Sequence, residues 1–178
     1  MKYFIGYLIK GEASDWHINL TKDISEKFNT WKIYERLPPH ITIFYPFETD
    51  DVENIKNILR SWVQYRNIIG NFIMSDFDRF DDNVVFAKIE ASSQLVNTIE
   101  GLRIILKDVP GMPKDNFLTW HPHATLANKL TPQEIKKIWE YVQTLEKPNF
   151  MLPFDNVTLF RLEGDKWIVE ESFDIFSV

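Results

Sequence analysis

The chain has 178 residues, 44% hydrophobic and 26% charged, with 26 acidic and 20 basic side chains and no cysteine. That length suits one domain able to bury roughly 70% of its extended surface, and the missing cysteine excludes disulfides, thiolate metal sites and thiol nucleophiles. A net charge of −6 argues against a sequence-independent grip on long duplex nucleic acid, but leaves room for one small phosphorylated ligand in a local pocket.

Residues 3–9 form one apolar run, a buried strand, too short and without the cleavage site of a signal peptide. No run along the chain approaches the roughly 18 apolar residues of a membrane span. The expectation is a soluble, cytoplasmic monomer. Ser14 reads as a helix N-cap, and Trp16, Leu20, Ile24 and Phe28 recur every four residues as an amphipathic helix requires. A connector over 30–39 holds Trp31, Tyr34, Arg36 and two prolines. Ile41, Ile43 and Tyr45 make a short strand that Pro46 ends. A second helix follows, with Asp50 and Glu53 as a capping box and Val52, Ile55, Leu59, Trp62 and Val63 as its apolar face.

Residues 72–80 and 83–89 flank a tight Asp81-Asp82 turn and read as a hairpin. Leu95, Val96, Ile99, Leu102, Ile105 and Leu106 give a third helix face, and 108–118 is a loop with Pro110, Gly111 and Pro113. Residues 123–127 form a strand. Thr131-Pro132-Gln133-Glu134 starts a fourth helix, with Thr as N-cap and Glu reaching back. Residues 150–162 and 166–176 close the chain as a hairpin around Glu163-Gly164-Asp165.

These elements read as one unit written twice: strand, helix, hairpin. His40 and His123 are 83 positions apart, as are Asp81 and Gly164 in the two hairpin turns. The repeat predicts two similar lobes about a pseudo-two-fold axis. Helices alternating with hairpins predict an α+β fold with largely antiparallel sheets.

The repeat carries a matched pair of motifs, Pro39-His40-Ile41-Thr42-Ile43-Phe44 and Pro122-His123-Ala124-Thr125-Leu126-Ala127. Residues two apart in a strand share a face at a spacing of roughly 6.6 Å. His40 and Thr42 therefore face one way with Ile41 and Ile43 behind them. His123 and Thr125 repeat the pattern. If both faces turn inward, two imidazoles and two hydroxyls meet in one cleft. Such a set opens a phosphodiester without metal: one histidine takes a proton from water and the other protonates the leaving oxygen. The threonines hold the non-bridging oxygens. Phe44 shares this face by alternation, as a cleft wall or base-stacking platform, with a core position as the alternative.

Other residues carry weaker signals. His121 and His123 have a spacing that metal sites use, and His40 would add a third nitrogen, but the nearest carboxylate, Asp115, falls in a loop. His17 reads as a solvated or half-buried histidine of the first helix. Trp31 and Tyr34 with Lys32 and Arg36 suit a nucleobase and a phosphate, or simple packing. Asp76, Asp78, Asp81 and Asp82 read as local turn chemistry rather than a metal cluster.

Pro-His-Ile-Thr-Ile-Phe-Tyr-Pro-Phe (39–47) and Trp-His-Pro-His-Ala-Thr-Leu-Ala (120–127) resemble the paired motifs of the two-histidine phosphoesterase superfamily. The nearest likeness is to its 2′-5′ RNA ligase-like branch, which includes cyclic nucleotide phosphodiesterases. The resemblance extends over the whole chain. It implies a bilobal fold with helices outside, a central cleft, and no metal or nucleotide cofactor. It makes His40 and His123 the catalytic pair, His40 as acid and His123 as base, with Thr42 and Thr125 binding substrate. The implied substrate is a 2′,3′-cyclic phosphate on a nucleotide or RNA end, with 2′-5′ ligation as the reverse reaction. Two rival readings are a receptor that binds such a nucleotide without turnover and a metal-dependent hydrolase using His121 and His123.

Overall fold

The structure, a computed structural model, describes residues 1–64, 70–80, 83–113 and 119–175. Strand β1 (Lys2–Leu8) is the N-terminal apolar run, buried along almost its whole length. Gly11, at φ 63°, turns the chain into α1 (Gly11–Phe28), three residues ahead of the expected cap at Ser14. Asn29 ends α1 in the left-handed region (φ 52°), which asparagine tolerates better than most residues, and returns its N–H to Ser25. A 3-10 turn (Ile33–Glu35) leads into β2 (His40–Glu48).

Helix α2 (Val52–Gln64) is capped by Asp51, whose carboxylate accepts the Asn54 N–H at 3.2 Å, instead of by Asp50 and Glu53. Strands β3 (Asn71–Phe80) and β4 (Val84–Ala91) form the expected hairpin; its Asp81-Asp82 turn lies outside the described residues. Ser92 caps α3 (Ser93–Lys107). Strand β5 (His123–Ala127) carries the second motif, and α4 (Pro132–Val142) begins with the predicted Thr131–Glu134 capping box. The single strand expected over 150–162 is two strands, β6 (Phe150–Pro153) and β7 (Asn156–Glu163). Pro153 has no N–H for a ladder, and the Phe154 N–H turns to the Gly70 carbonyl at 2.9 Å. Strand β8 (Lys166–Asp174) pairs with β7; the expected strand end at Phe176 lies outside the described residues.

The fold is α+β and bilobal, built on two four-stranded antiparallel sheets ordered β2-β1-β7-β8 and β5-β4-β3-β6. Each sheet has its motif strand at one edge, so β2 matches β5, β1 matches β4 and β7 matches β3. The halves are interleaved instead of consecutive. Hairpin β3–β4 supports the second motif strand, while β7 and β8 lie in the sheet of the first. The helices cross as well. Helix α1, which follows β1, packs on β5 and α4; α3, which follows β4, packs on β2 and α2.

One buried apolar cluster runs through both halves. Tyr7 of the first sheet meets Phe72 of the second edge-on at 5.2 Å, and Phe154 packs against both rings. Trp120 joins this group against Phe72 at 6.2 Å, immediately ahead of the second motif. Full burial of a large side chain contributes about 1.5–3 kcal/mol, so this aromatic seam is a major term in holding the sheets together.

Candidate active site

Strands β2 and β5 pack against each other across the pseudo-dyad. His40, Thr42, His123 and Thr125 are each half-buried, while Ile41, Ile43, Ala124 and Leu126 between and beyond them are buried. The alternation read from the sequence is therefore present in both copies. The His40 and His123 side chains are close enough for a charge on one to disfavour a charge on the other.

The two imidazoles are held alike. His40 Nδ1 lies 2.8 Å from the Pro38 carbonyl, and His123 Nδ1 lies 2.8 Å from the His121 carbonyl. A carbonyl only accepts, so each Nδ1 must carry the proton. In the neutral ring this leaves the lone pair on Nε2. The acceptor stands two residues upstream in both cases, with a proline between, Pro39 or Pro122. Proline fixes φ near −65°, so the tautomer is set by three consecutive residues.

Aromatic rings support both histidines. Phe4 and Phe160 stack at 4.4 Å and lie 4.8 and 5.6 Å from the His40 ring. Phe80 and Phe86 lie 4.6 Å apart and each 5.1 Å from the His123 ring. Burial lowers both imidazole pKa values, that of His40 to about 4, with the carbonyl bonds opposing the shift. Both rings are thus neutral near pH 7 before any anion enters.

Two further side chains cross between the halves. His17 of α1 places Nε2 2.9 Å from the Thr125 carbonyl, and Trp120 donates its indole N–H to the Thr42 carbonyl at 2.8 Å. Each motif threonine is therefore tied through its backbone to a ring outside its own sheet. His17 is 3% exposed, and burial lowers its pKa to about 4. This corrects the reading of His17 as an ordinary helix histidine. It lies on the 17-20-24 stripe of α1, a signal available in the sequence. Phe4, Phe80, Phe86 and Phe160 carry no local sequence signal for the site, because their place beside the histidines is set by strand pairing.

Phe44 is not a cleft residue. It is fully buried in the core, edge-on to Phe47 at 5.9 Å. The register of β2 against β1 slips between Gly6↔Thr42 and Ile5↔Phe44, so Ile43 is an extra residue in the ladder. That bulge turns Phe44 inward and leaves Tyr45 43% exposed. Alternation fails here because it assumes an unbroken ladder. Gly6 lies opposite Thr42, and a Cβ on it would stand 2.9 Å from the Ile41 carbonyl, so glycine permits the close approach of β1 to the motif.

His121 is exposed and packs edge-on to Phe80 at 5.4 Å. Among the described residues no three His, Asp or Glu side chains gather as a metal would need, and Asp115 lies outside those residues. Asp76 and Asp78 each accept the N–H of the next residue at 2.8 Å, the local backbone bonding expected of them, and Asp76 also pairs with the distant Lys147 at 2.7 Å. Asp82 and Asp81 are outside the described residues. Lys88 stands opposite His123 in the ladder, where Leu8 stands opposite His40. Lys32 pairs with Glu35 at 3.4 Å.

Two histidines with matched tautomers and two threonines, on motif strands packed about a pseudo-dyad, are the arrangement of the two-histidine phosphoesterases. The family model of the 2′-5′ RNA ligase superfamily matches residues 15–166, and the chain belongs to that family. A Bacillus pumilus protein named "Putative phosphoesterase" is 28% identical over 145 residues, 79% of this chain and 81% of its own. A Geobacillus kaustophilus protein of the same description is 29% identical over 148 residues, 79% and 80% of the two chains. The crystal structure of TT0787 from Thermus thermophilus superposes with a TM-score of 0.67 at 18% identity, over 98% of both chains. A crystal structure described as a phosphoesterase gives 0.60 at 13% identity, also over 98% of both. These two likenesses establish the shared fold.

Proposed function

We propose that this protein is a metal-independent phosphoesterase that opens a small cyclic phosphodiester, the 2′,3′-cyclic phosphate of a nucleotide or RNA end. The observation that carries this reading is the matched pair of Nδ1-anchored imidazoles. Each keeps Nε2 for proton transfer, and family membership points to the same class of chemistry.

The substrate's anionic phosphate lies between the rings and raises the pKa of whichever imidazole it contacts, so one becomes protonated while the other stays neutral. Thr42 and Thr125 hydroxyls hold the non-bridging oxygens. Water attacks phosphorus as the neutral Nε2 takes its proton. The ring P–O bond breaks, and the protonated Nε2 delivers its proton to the leaving ribose oxygen. The products are a phosphomonoester and a free hydroxyl. Following the family, His40 is the acid and His123 the base. A ribose 5′-hydroxyl in place of water would give the ligase direction without a nucleotide cofactor. Tyr45 is an exposed aromatic three residues beyond Thr42 and offers a face to the nucleobase. Lys88, opposite His123 in the ladder, pairs with Glu90 at 3.4 Å and would turn part of its charge to the phosphate.

The test is a panel of 2′,3′-cyclic nucleotides, ADP-ribose cyclic phosphate and 2′-5′-linked dinucleotides, with and without chelator. Chelator-resistant opening of a cyclic phosphate supports the proposal. Binding without turnover would favour the receptor reading, and activity abolished by chelator would favour the metal-dependent one.

A further inference from the structure

A cationic cluster stands on the loops that flank the two motif strands. Trp31, in the connector ahead of β2, has Lys129 Nζ 4.0 Å from its ring centroid and the Arg36 guanidinium 5.8 Å away. The three residues come from two loops, one leading into the first motif strand and one leaving the second. Lys129 is held at φ 58°, a left-handed backbone that lysine adopts only at a cost. The surrounding structure imposes it, and such strain is found at ligand clamps.

Three polar atoms there are enclosed and without a hydrogen-bond partner among the described residues: Thr30 Oγ1, Arg36 Nε and Asn128 Oδ1. They belong to the residues beside Trp31 and Lys129 in sequence and to Arg36 itself. A buried polar group left unpaired is costly, and the Thr30 hydroxyl and the Arg36 Nε–H are donors that an anion would satisfy, whereas the Asn128 Oδ1 is an acceptor and would not bond one. Asp165 pairs with one terminal nitrogen of Arg36, leaving Nε for another acceptor. No carboxylate pairs with Lys129 among the described residues. In a chain of net charge −6, this is a local concentration of positive charge.

The cluster is linked to His40. The Arg36 carbonyl accepts the Trp167 N–H at 2.7 Å, the Trp167 ring meets Phe4 edge-on at 4.9 Å, and Phe4 lies 4.8 Å from the His40 ring. From the other side, Lys129 stands two residues beyond Ala127, where β5 ends.

We propose that Arg36 and Lys129, with Trp31 between them, form a subsite for a second phosphate of the substrate, so that the preferred ligand carries two phosphates and not one. The inference rests on the phosphoesterase reading for its first phosphate. The second comes either from a 5′-phosphate or from the next phosphodiester of an RNA end, and the test separates these sources.

Calorimetric titration with uridine 2′-phosphate, uridine 2′,5′-bisphosphate and a uridine dinucleotide ending in a 2′-phosphate reads binding without turnover. The bisphosphate, the dinucleotide, or both should bind about tenfold tighter than the monophosphate, as two charge-assisted contacts allow. Whichever of the two gains the advantage identifies the source. The advantage should fall to about twofold or less in Lys129→Gln and in Arg36→Gln. It should persist in Lys137→Gln, a charge change on the exposed face of α4. Circular dichroism checks that each variant is folded. Equal affinity for all three ligands, or an advantage that survives both Lys129→Gln and Arg36→Gln, would overturn the proposal. A clear advantage in a protein that opens no cyclic phosphate would keep the subsite and reject the phosphoesterase reading.

Discussion

At the scale of single residues, the Nδ1 bonds of His40 and His123 make both rings acceptors at Nε2, and the paired roles have kinetic consequences. Alanine at either position should lower the rate by roughly 10²–10⁴, and the double change should cost far less than the product because the two act on one phosphorus. Thr42→Val or Thr125→Val should each lose on the order of 10- to 100-fold, below the loss from a strong oxyanion donor. Burial places both imidazole pKa values below 6.5 in the free enzyme. One ring must be protonated and one neutral, so the kcat/KM profile should be bell-shaped with its maximum below pH 6.5. Its two limbs belong to the pair. In the kcat profile the bound anion should move that maximum upward. A kcat/KM maximum above pH 7.5 would contradict this sign. His17 adds a stability effect, because the unfolded chain takes up a proton near pH 6.5 and the folded one only near pH 4. Stability is therefore fully present above 6.5 and lost as pH falls towards 4, by about 2 kcal/mol at pH 5. Urea unfolding at pH 7 and pH 5 should show a smaller loss for His17→Gln, which keeps a donor for the Thr125 carbonyl.

At the scale of elements, the motif strands were legible because period-two alternation and a preceding proline are local signals. The α4 start was legible for the same reason, since Thr131 and Glu134 close a bond pattern four residues long. Three features depend on partners distant in sequence and were not legible. The bulge at Ile43 moves Phe44 into the core and Tyr45 outward, and it exists only in the register against β1. The break between β6 and β7 comes from their joining different sheets. The Trp120 bond to the Thr42 carbonyl links residues 78 positions apart. Gly6 shows how tightly β1 and β2 fit. Gly6→Ala brings a Cβ to 2.9 Å from the carbonyl of Ile41, between His40 and Thr42. Overpacking of this kind should cost about 1–3 kcal/mol in urea unfolding and lower kcat as the motif strand shifts. A variant of unchanged stability and rate would show that the strand has room to spare.

At the scale of the whole molecule, the internal repeat and α+β class were readable from the order of elements. The exchange between halves was not, because strand order and helix packing are absent from local periodicity. The repeat predicts two similar lobes, and in the structure each sheet draws strands from both halves of the chain and each motif strand is covered by a helix from the opposite repeat. A fragment ending near residue 91 lacks β5 to β8 and leaves β2 without the β7–β8 side of its sheet. Separate expression of residues 1–91 and 92–178 should give unfolded chains, and the intact protein should unfold in one cooperative step. Two resolved transitions would mean that the halves are energetically independent. This interleaving also brings the two motif edge strands together, and His17 and Trp120 tie each motif threonine to a partner outside its own sheet.

The most direct test of the central claim is chelator-treated turnover of a 2′,3′-cyclic nucleotide by the wild type, His40→Ala and His123→Ala, with folding of each checked by circular dichroism. The account predicts full wild-type activity in chelator and a loss of at least about a hundredfold in each variant. Wild-type rates with either histidine removed would contradict it and make the paired His-x-Thr strands structural.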